Sequence, residues 1–145
     1  GKDDFYIDYL ILDSSISDGR ILLESVMSDI AGQQGIPLSY LMATGDWYTR
    51  FAIGVKFSDF NGLKWIKNVR KPVLITNSND DTLTPSYMAK DIYKSISHDK
   101  KELQLVDGYK HASFPKNDND EYMKIVEDFL ERYELDIEDT DEPTK

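Results

Sequence analysis

Two polar loops of this sequence each follow a short apolar run, and between them they carry an acid and a histidine. The loop at 77–85 reads Asn-Ser-Asn-Asp-Asp-Thr-Leu-Thr-Pro, and the loop at 107–112 reads Asp-Gly-Tyr-Lys-His-Ala. If both runs are parallel strands separated by one helix, the two loops lie at the same edge of a sheet, where functional groups of such folds collect. Asp81 and His111 could then meet. A carboxylate beside an imidazole holds it in the tautomer that a general base requires.

Around these two residues the sequence resembles the α/β-hydrolase superfamily. Residues 71–85 are similar to the segment that bears the triad acid: an apolar strand, a short loop, an Asp, two more residues and a Thr-Pro pair. Residues 105–112 are similar to the histidine loop, and an amphipathic last helix follows. Upstream, residues 8–14 resemble the sixth strand, and residues 60–69 resemble the lead-in to the seventh. The resemblance covers about residues 4–133.

The resemblance implies an α/β class with a partial α/β-hydrolase fold. That fold has about three parallel strands, the family's strands 6–8, with flanking helices and a helical lid-like insertion. It implies that Asp81 is the acid and His111 the general base of a serine esterase, lipase or acyl-peptidase. Asp80 is the rival acid, and the count back from Thr84 and Pro85 favours Asp81.

The nucleophile that this family requires has no counterpart in the sequence. It lies in a Gly-x-Ser-x-Gly turn between a strand and a helix, earlier in the chain than the acid and the histidine. No such pentapeptide occurs here, and Ser14 and Ser15 lack the flanking glycines. Because the first residue is Gly1 rather than Met, we expect the C-terminal half of a serine hydrolase, inactive alone, that acts on a carboxylic ester or peptide bond.

The expected substrate is a small ester, acyl or peptide compound, and no cofactor or metal is implied. Residues 1–133 are interpreted as the hydrolase portion, about 35–62 as the lid-like segment and 134–145 as an acidic tail. In the lid-like segment four residues are candidates for a substrate pocket: Met42, Trp47, Tyr48 and Phe51.

A second hypothesis is a non-catalytic α/β module that binds a small molecule or a protein. A flavodoxin-like fold suits the length, but it usually has about five parallel strands, and the sequence supports three. Phosphate-binding glycine motifs are absent. His98, in a polar turn, is interpreted as solvated. The acidic run at 117–121 lacks the spacing of a calcium loop and is interpreted as the cap of the last helix.

Composition excludes several classes of function. The 145 residues are 40% hydrophobic and 30% charged, which is typical of a globular domain. The net charge of −10 and the lack of a basic stripe argue against a nucleic-acid partner. The absence of cysteine excludes disulfides, thiolate nucleophiles and cysteine-ligated zinc. No apolar stretch approaches the length of about 18 residues that a membrane span needs.

The apolar patterns predict alternating strands and helices, and hence a parallel sheet with right-handed crossovers. Strands are expected at 5–13, 71–76 and 102–106. Helices are expected after a cap at 17–18, and at about 37–47, 63–67, 84–96 and 119–133. With no partner on its outer side, the first strand would present an open edge at 5–12. We therefore expect self-association through that edge, strand against strand across a two-fold axis.

Overall fold

A three-stranded parallel sheet forms the centre of the molecule. The structure is a computed structural model and describes residues 8–54 and 61–138. The strands are β1 (Leu10–Asp13), β2 (Val73–Ser78) and β3 (Lys101–Val106), in the spatial order β1-β2-β3. Both pairings are parallel, with Leu10 opposite Val73 and Val73 opposite Lys101. The expected parallel sheet is confirmed.

Strand β1 is shorter than the sequence predicts, and Pro72 accounts for the point at which pairing stops. The Leu10 N–H donates to the Pro72 carbonyl oxygen at 3.0 Å. The next bond towards the N-terminus would need an N–H at Pro72, and proline has none. Tyr9 instead packs against Phe129, with 5.9 Å between ring centroids. The expected residues 5–7 of this strand lie outside the described part.

Six helices connect or flank the strands in the described residues. They are α1 (Gly19–Gln34), α2 (Leu38–Ile53), α3 (Gly62–Ile66), α4 (Ser86–Ser95), α5 (Phe114–Asn117) and α6 (Asn119–Glu138). The predicted cap of α1 is confirmed, because the Asp18 carboxylate accepts from the Arg20 N–H at 2.8 Å. Helix α1 ends at Gly35, whose φ of 67° favours glycine. Helix α5 was not predicted.

The sheet is covered on its two faces by different helices. Val73 and Ile75 of β2 belong to one apolar cluster with Ile66 of α3 and Ile92 of α4. Leu74, between them in sequence, belongs to a second cluster with residues of α6. Because side chains alternate along a strand, β2 is buried on both faces along its whole length. Burial on both faces holds β2 in place, and the polar loop that carries Asp81 begins at the carboxyl end of this strand.

Helices α1 and α2 pack against each other, outside the two apolar clusters that cover the sheet. Leu23 is the buried apolar residue of α1, and the aromatic residues of α2 are largely exposed. Helix α2 contains Gly45, continues past the predicted end near Trp47 and ends at Ile53, where Gly54 follows with a φ of 74°. The segment interpreted as lid-like, 35–62, therefore includes α2 but not α1, the helix on which α2 packs. Its part at 55–60 lies outside the described residues.

Helix α6 extends further than predicted. It continues through Glu138, so the first residues of the segment interpreted as an acidic tail are helical, and 139–145 lie outside the described residues. The interpretation of 117–121 as a cap agrees with the structure, since the Asp118 carboxylate accepts from the Glu121 N–H at 3.4 Å. None of the helices within the described ranges is long and apolar enough to cross a membrane.

Candidate active site

The loop after β2, residues 79–85, is here called the acid loop, and it holds the Asp81 carboxylate from several sides. Oδ1 of Asp81 accepts from the backbone N–H groups of Leu83 at 2.9 Å and Thr84 at 2.8 Å. Oδ2 accepts from the Thr84 hydroxyl at 2.7 Å. The Asp81 side chain has no exposed surface. Three of the hydrogen bonds that orient this carboxylate therefore come from its own loop.

These contacts decide the charge of Asp81. Burial disfavours the ionised form and by itself raises the pKa of the carboxyl. The hydroxyl and amide of Thr84, the His111 ring and the Leu83 amide all donate to the carboxylate and lower its pKa. Together they outweigh burial, so the pKa of Asp81 lies below the ordinary value of 3.8. Asp81 is therefore a buried anion at neutral pH.

The loop after β3, residues 107–112, is here called the histidine loop, and its first half is tied to the acid loop. Gly108 has a φ of 86°, a conformation that favours glycine, and its N–H donates to Asp80 Oδ2 at 2.6 Å. The Tyr109 N–H donates to the Ser78 hydroxyl at 3.3 Å. Asp80, the rival acid, thus binds the backbone of the histidine loop, and the structure brings Asp81 rather than Asp80 to the ring.

Asp81 and His111, which the sequence analysis paired, are in direct contact. His111 Nδ1 lies 2.9 Å from Asp81 Oδ2 and 3.0 Å from Thr84 Oγ1. The single hydroxyl proton of Thr84 is donated to Asp81, so both oxygen atoms beside Nδ1 act as acceptors. This network assigns the proton of the neutral ring to Nδ1 and the lone pair to Nε2.

This arrangement can move a proton. Among the described residues Nε2 of His111 has no hydrogen-bond partner, and 38% of the His111 side chain is exposed. A neutral imidazole that presents Nε2 in this way can accept a proton from a hydroxyl group. The Asp81 anion then stabilises the imidazolium that results. Thr84, which the sequence analysis used only to count back to the acid, forms a cluster with Asp81 and His111.

Ser14, directly after β1, contacts the second half of the histidine loop. Its hydroxyl oxygen accepts from the Ala112 N–H at 3.2 Å. Both residues have a positive φ, 46° for Ser14 and 49° for Ala112. The sequence analysis considered Ser14 only as a nucleophile. No local pattern signals this contact, because the two residues are 98 positions apart.

A cavity of about 460 Å³ lies beside His111, between β1 and helix α3. Asp13, Ser14 and His111 belong to its polar wall. The remainder of the lining is apolar, with Leu12 of β1 and Trp65 of α3 among its members. The imidazole thus borders an apolar space that is large enough for a small organic group.

Solved structures of α/β-hydrolases share this fold. An esterase of Pyrococcus furiosus superposes with a TM-score of 0.59 at 16% identity, over 90% of this chain and 47% of its own. An α/β-hydrolase from the metagenome of Mar Chica lagoon sediments gives 0.52 at 17% identity, over 88% and 63%. The meta-cleavage product hydrolase of Pseudomonas fluorescens gives 0.51 at 13% identity, over 87% and 56%. The chain has a partial α/β-hydrolase fold.

The likeness to solved hydrolases lies in the fold and in short motifs, and not in overall sequence similarity. No family model and no curated protein matches the sequence. The chain spans about half to three fifths of the length of the three hydrolases compared above. The resemblance to α/β-hydrolases that the sequence shows around Asp81 and His111 is therefore confirmed at the level of the fold.

The four candidates for a substrate pocket lie on α2. Trp47, Tyr48 and Phe51 are 63%, 66% and 76% exposed, and Met42 is half-buried. The rings of Trp47 and Phe51 contact each other, with centroids 5.0 Å apart. None of the four lines the cavity beside His111. Their assignment to a substrate pocket stays a prediction.

Two other kinds of site, a metal site and the second histidine of the chain, were considered from the sequence. Within 8–54 and 61–138 no group of three or more acidic or histidine side chains could hold a metal ion. The interpretation of His98 as solvated is wrong, because both of its ring nitrogens are buried and lack hydrogen-bond partners. The polar residues around His98 suggest an open turn, but the residue is only partly exposed and both of its ring nitrogens are covered.

Proposed function

We propose that this chain supplies the acid and the base of a serine-type hydrolase, with Asp81 as orienting acid and His111 as general base. The observation that carries the proposal is the 2.9 Å contact between Asp81 Oδ2 and His111 Nδ1, which leaves the lone pair on Nε2. The partial α/β-hydrolase fold supports an esterase-type hydrolase as the whole protein.

In the proposed reaction a serine hydroxyl attacks the carbonyl carbon of an ester or peptide bond. The hydroxyl proton passes to His111 Nε2 as the new C–O bond forms, and Asp81 stabilises the imidazolium. The tetrahedral intermediate collapses, the bond to the alcohol or amine breaks, and the leaving group takes the proton from Nε2. Water then attacks the acyl-serine by the same proton route and releases the carboxylic acid.

We assign the serine to a segment outside this sequence, so that the chain is the C-terminal half of the enzyme and inactive alone. The sequence has no Gly-x-Ser-x-Gly, and the chain spans only part of the hydrolases it superposes on. β1, whose residues line the cavity beside His111, is the edge strand of the sheet in the described residues. A further parallel strand added at this edge would carry its own loop to the same rim of the sheet.

The proposed substrate is a carboxylic ester or peptide bond with an apolar acyl group. The mostly apolar lining of the cavity supports this class of substrate. We further propose that Met42, Trp47, Tyr48 and Phe51 of α2 cover the bound substrate as part of a lid once the remaining half of the enzyme is present.

The test uses the longest open reading frame that encodes this sequence. The purified product is assayed for hydrolysis of p-nitrophenyl acetate, together with its His111→Ala and Asp81→Asn variants. We expect activity in the parent and a loss in kcat of about 10²–10⁴-fold in each variant. His98→Gln, a change at the other histidine of the chain, is the matched control and is expected to retain activity.

Equal rates in the parent and its His111→Ala variant would remove the basis for the proposal. The alternative, a non-catalytic α/β module that binds a small molecule or a protein, would gain support from a reading frame that encodes no Gly-x-Ser-x-Gly. A fluorophosphonate probe gives an independent measurement, since it labels only an activated serine. Labelling of the parent but not of this chain alone is the expected result.

A further inference from the structure

The histidine loop is held at its two ends by different parts of the molecule. On the side before His111, the amides of Gly108 and Tyr109 donate to the side chains of Asp80 and Ser78. On the side after His111, the Ala112 N–H donates to Ser14 Oγ at 3.2 Å. The first set of contacts joins the loop to β2 and the acid loop, and the last one joins it to the end of β1.

Ser14 is a well-fixed partner for this amide. Its own N–H donates to the Thr76 carbonyl oxygen at 3.0 Å, which extends the pairing of β1 with β2 by one bond. Only 9% of its surface is exposed. A serine with φ near 46° is strained, and such strain persists where surrounding contacts determine the conformation. The turn at Ser14 directs a hydroxyl oxygen at the backbone of the histidine loop.

Ala112 is strained in the same sense, with a φ of 49°. A left-handed conformation of alanine offers no local hydrogen bond in return, so an outside contact must hold it. The contact with Ser14 is the one available to the Ala112 N–H among the described residues. Two strained residues, one of them the neighbour of His111, thus stabilise each other.

We propose that Ser14 is a positioning residue for His111: it fixes the amide after the histidine and thereby keeps Nδ1 within hydrogen-bond distance of Asp81. The inference rests on the proposed function of His111 as general base, and it adds Ser14 as the residue that positions the histidine. Without the hydroxyl, Ala112 can relax towards an ordinary φ, and the Cα of His111 moves with it. The 2.9 Å contact to Asp81 then lengthens, which misplaces Nε2.

The experiment is carried out on this whole chain by NMR, so that it does not depend on hydrolysis. Two signals are measured: the hydrogen exchange rate of the Ala112 amide and the resonance of the His111 Nδ1 proton. Ser14→Ala and Ser14→Gly are compared with Ser15→Ala. The hydroxyl of Ser15 contacts the Asp13 carbonyl oxygen and not the histidine loop, so Ser15→Ala is the matched control. Glycine adopts positive φ without strain, so Ser14→Gly keeps the fold even where Ser14→Ala does not.

In both Ser14 variants we expect the Ala112 amide to exchange roughly tenfold faster, as the loss of one hydrogen bond implies. We also expect the Nδ1 proton signal to weaken or shift upfield. Ser15→Ala should leave both signals unchanged.

Ser14→Gly with wild-type exchange at Ala112 overturns the proposal. Faster exchange with an unchanged Nδ1 proton also overturns it, because Ser14 would then hold the backbone without positioning the ring. A longer protein that does not hydrolyse the ester would count against the proposed function. The positioning role of Ser14 is still decided by the Ala112 exchange rate and the His111 Nδ1 proton signal, because neither depends on hydrolysis. If the longer protein is active, Ser14→Gly should lower kcat more than it changes KM.

Discussion

Replacing Asp81 by asparagine should switch the tautomer of His111. In the native cluster Asp81 Oδ2 accepts from both the Thr84 hydroxyl and His111 Nδ1. Asparagine can keep its carbonyl oxygen towards the Leu83 and Thr84 amides, which places its NH₂ group where Oδ2 was. That group donates and cannot accept. Nδ1 must therefore become the acceptor, and the proton of the neutral ring moves to Nε2.

The size of the effect on stability follows from the bonds involved. The Asp81 carboxylate accepts four hydrogen bonds, from Leu83, from Thr84 twice and from His111. A hydrogen bond to a charged group contributes about 1.5–3 kcal/mol and a neutral one about 1 kcal/mol. Asparagine also relieves the burial of a charge, which offsets part of the difference. We expect the free energy of unfolding to fall by about 2 kcal/mol.

The assay is ¹⁵N NMR of the histidine ring at a pH where the imidazole is neutral, since the chemical shift distinguishes a protonated from an unprotonated ring nitrogen. We expect the proton on Nδ1 in the native chain and on Nε2 in Asp81→Asn. In the active enzyme the same change should lower kcat by roughly 10⁴-fold, because Nε2 could no longer accept a proton.

Asp80→Asn is the matched control, because Asp80 contacts the Gly108 amide and not the ring. It should weaken the tie between the loops and leave the proton of His111 on Nδ1. A ring that keeps its proton on Nδ1 in Asp81→Asn would refute the reasoning, since the carboxylate would then not decide the tautomer. A switch in Asp80→Asn as well would point to the loops rather than to the Asp81 carboxylate.

Three further outcomes are expected. Because the pKa of Asp81 lies below 3.8 in the folded chain, its ionised form stabilises the fold. That contribution is fully present above the unfolded pKa and is lost as the pH falls through the folded pKa, so acid titration of the unfolding free energy should be steeper in the native chain than in Asp81→Asn. Gly62→Ala would place a Cβ 2.8 Å from the Ile16 carbonyl oxygen and should cost about 1–3 kcal/mol in urea unfolding. Gly45→Ala, inside α2 with its nearest atom at 4.0 Å, should instead gain about 0.5–1 kcal/mol; a loss in both would contradict the packing argument. Since nothing in the described residues pairs with the outer edge of β1, sedimentation should detect dimers that Ile11→Lys suppresses, and a monomer at all concentrations would argue against edge pairing.

The parts of the site that the sequence predicts are those with local signals. The apolar run of β2 followed by a polar loop and a Thr-Pro pair was sufficient to place Asp81, because strand, loop and helix start are each encoded within a few residues. The turn at Gly108 placed His111 in the same way. Parallel strands joined by one helix are neighbours, so the meeting of these two side chains followed from topology.

The parts that the sequence did not predict depend on contacts between distant residues. The hydrogen bond of Ser14 to Ala112 joins positions that only the folded sheet brings together. The start of β1 was misplaced because it is set by the missing N–H of Pro72 on the neighbouring strand. His98 was taken as solvated because the residues around it are polar, and burial of its ring nitrogens depends on packing that those residues do not encode.

The ties between the two loops use atoms that take no part in the proposed chemistry. Asp80 with Gly108, Ser78 with Tyr109, and the Asn79 amide with the Asp107 carboxylate at 2.8 Å hold the loops together. These three ties do not use the side chain of His111, whereas the Asp81 carboxylate also holds the backbone of its own loop. A different side chain could therefore be installed at the position of His111 while the two loops keep their separation, which makes this position the one to vary in a redesigned reaction centre.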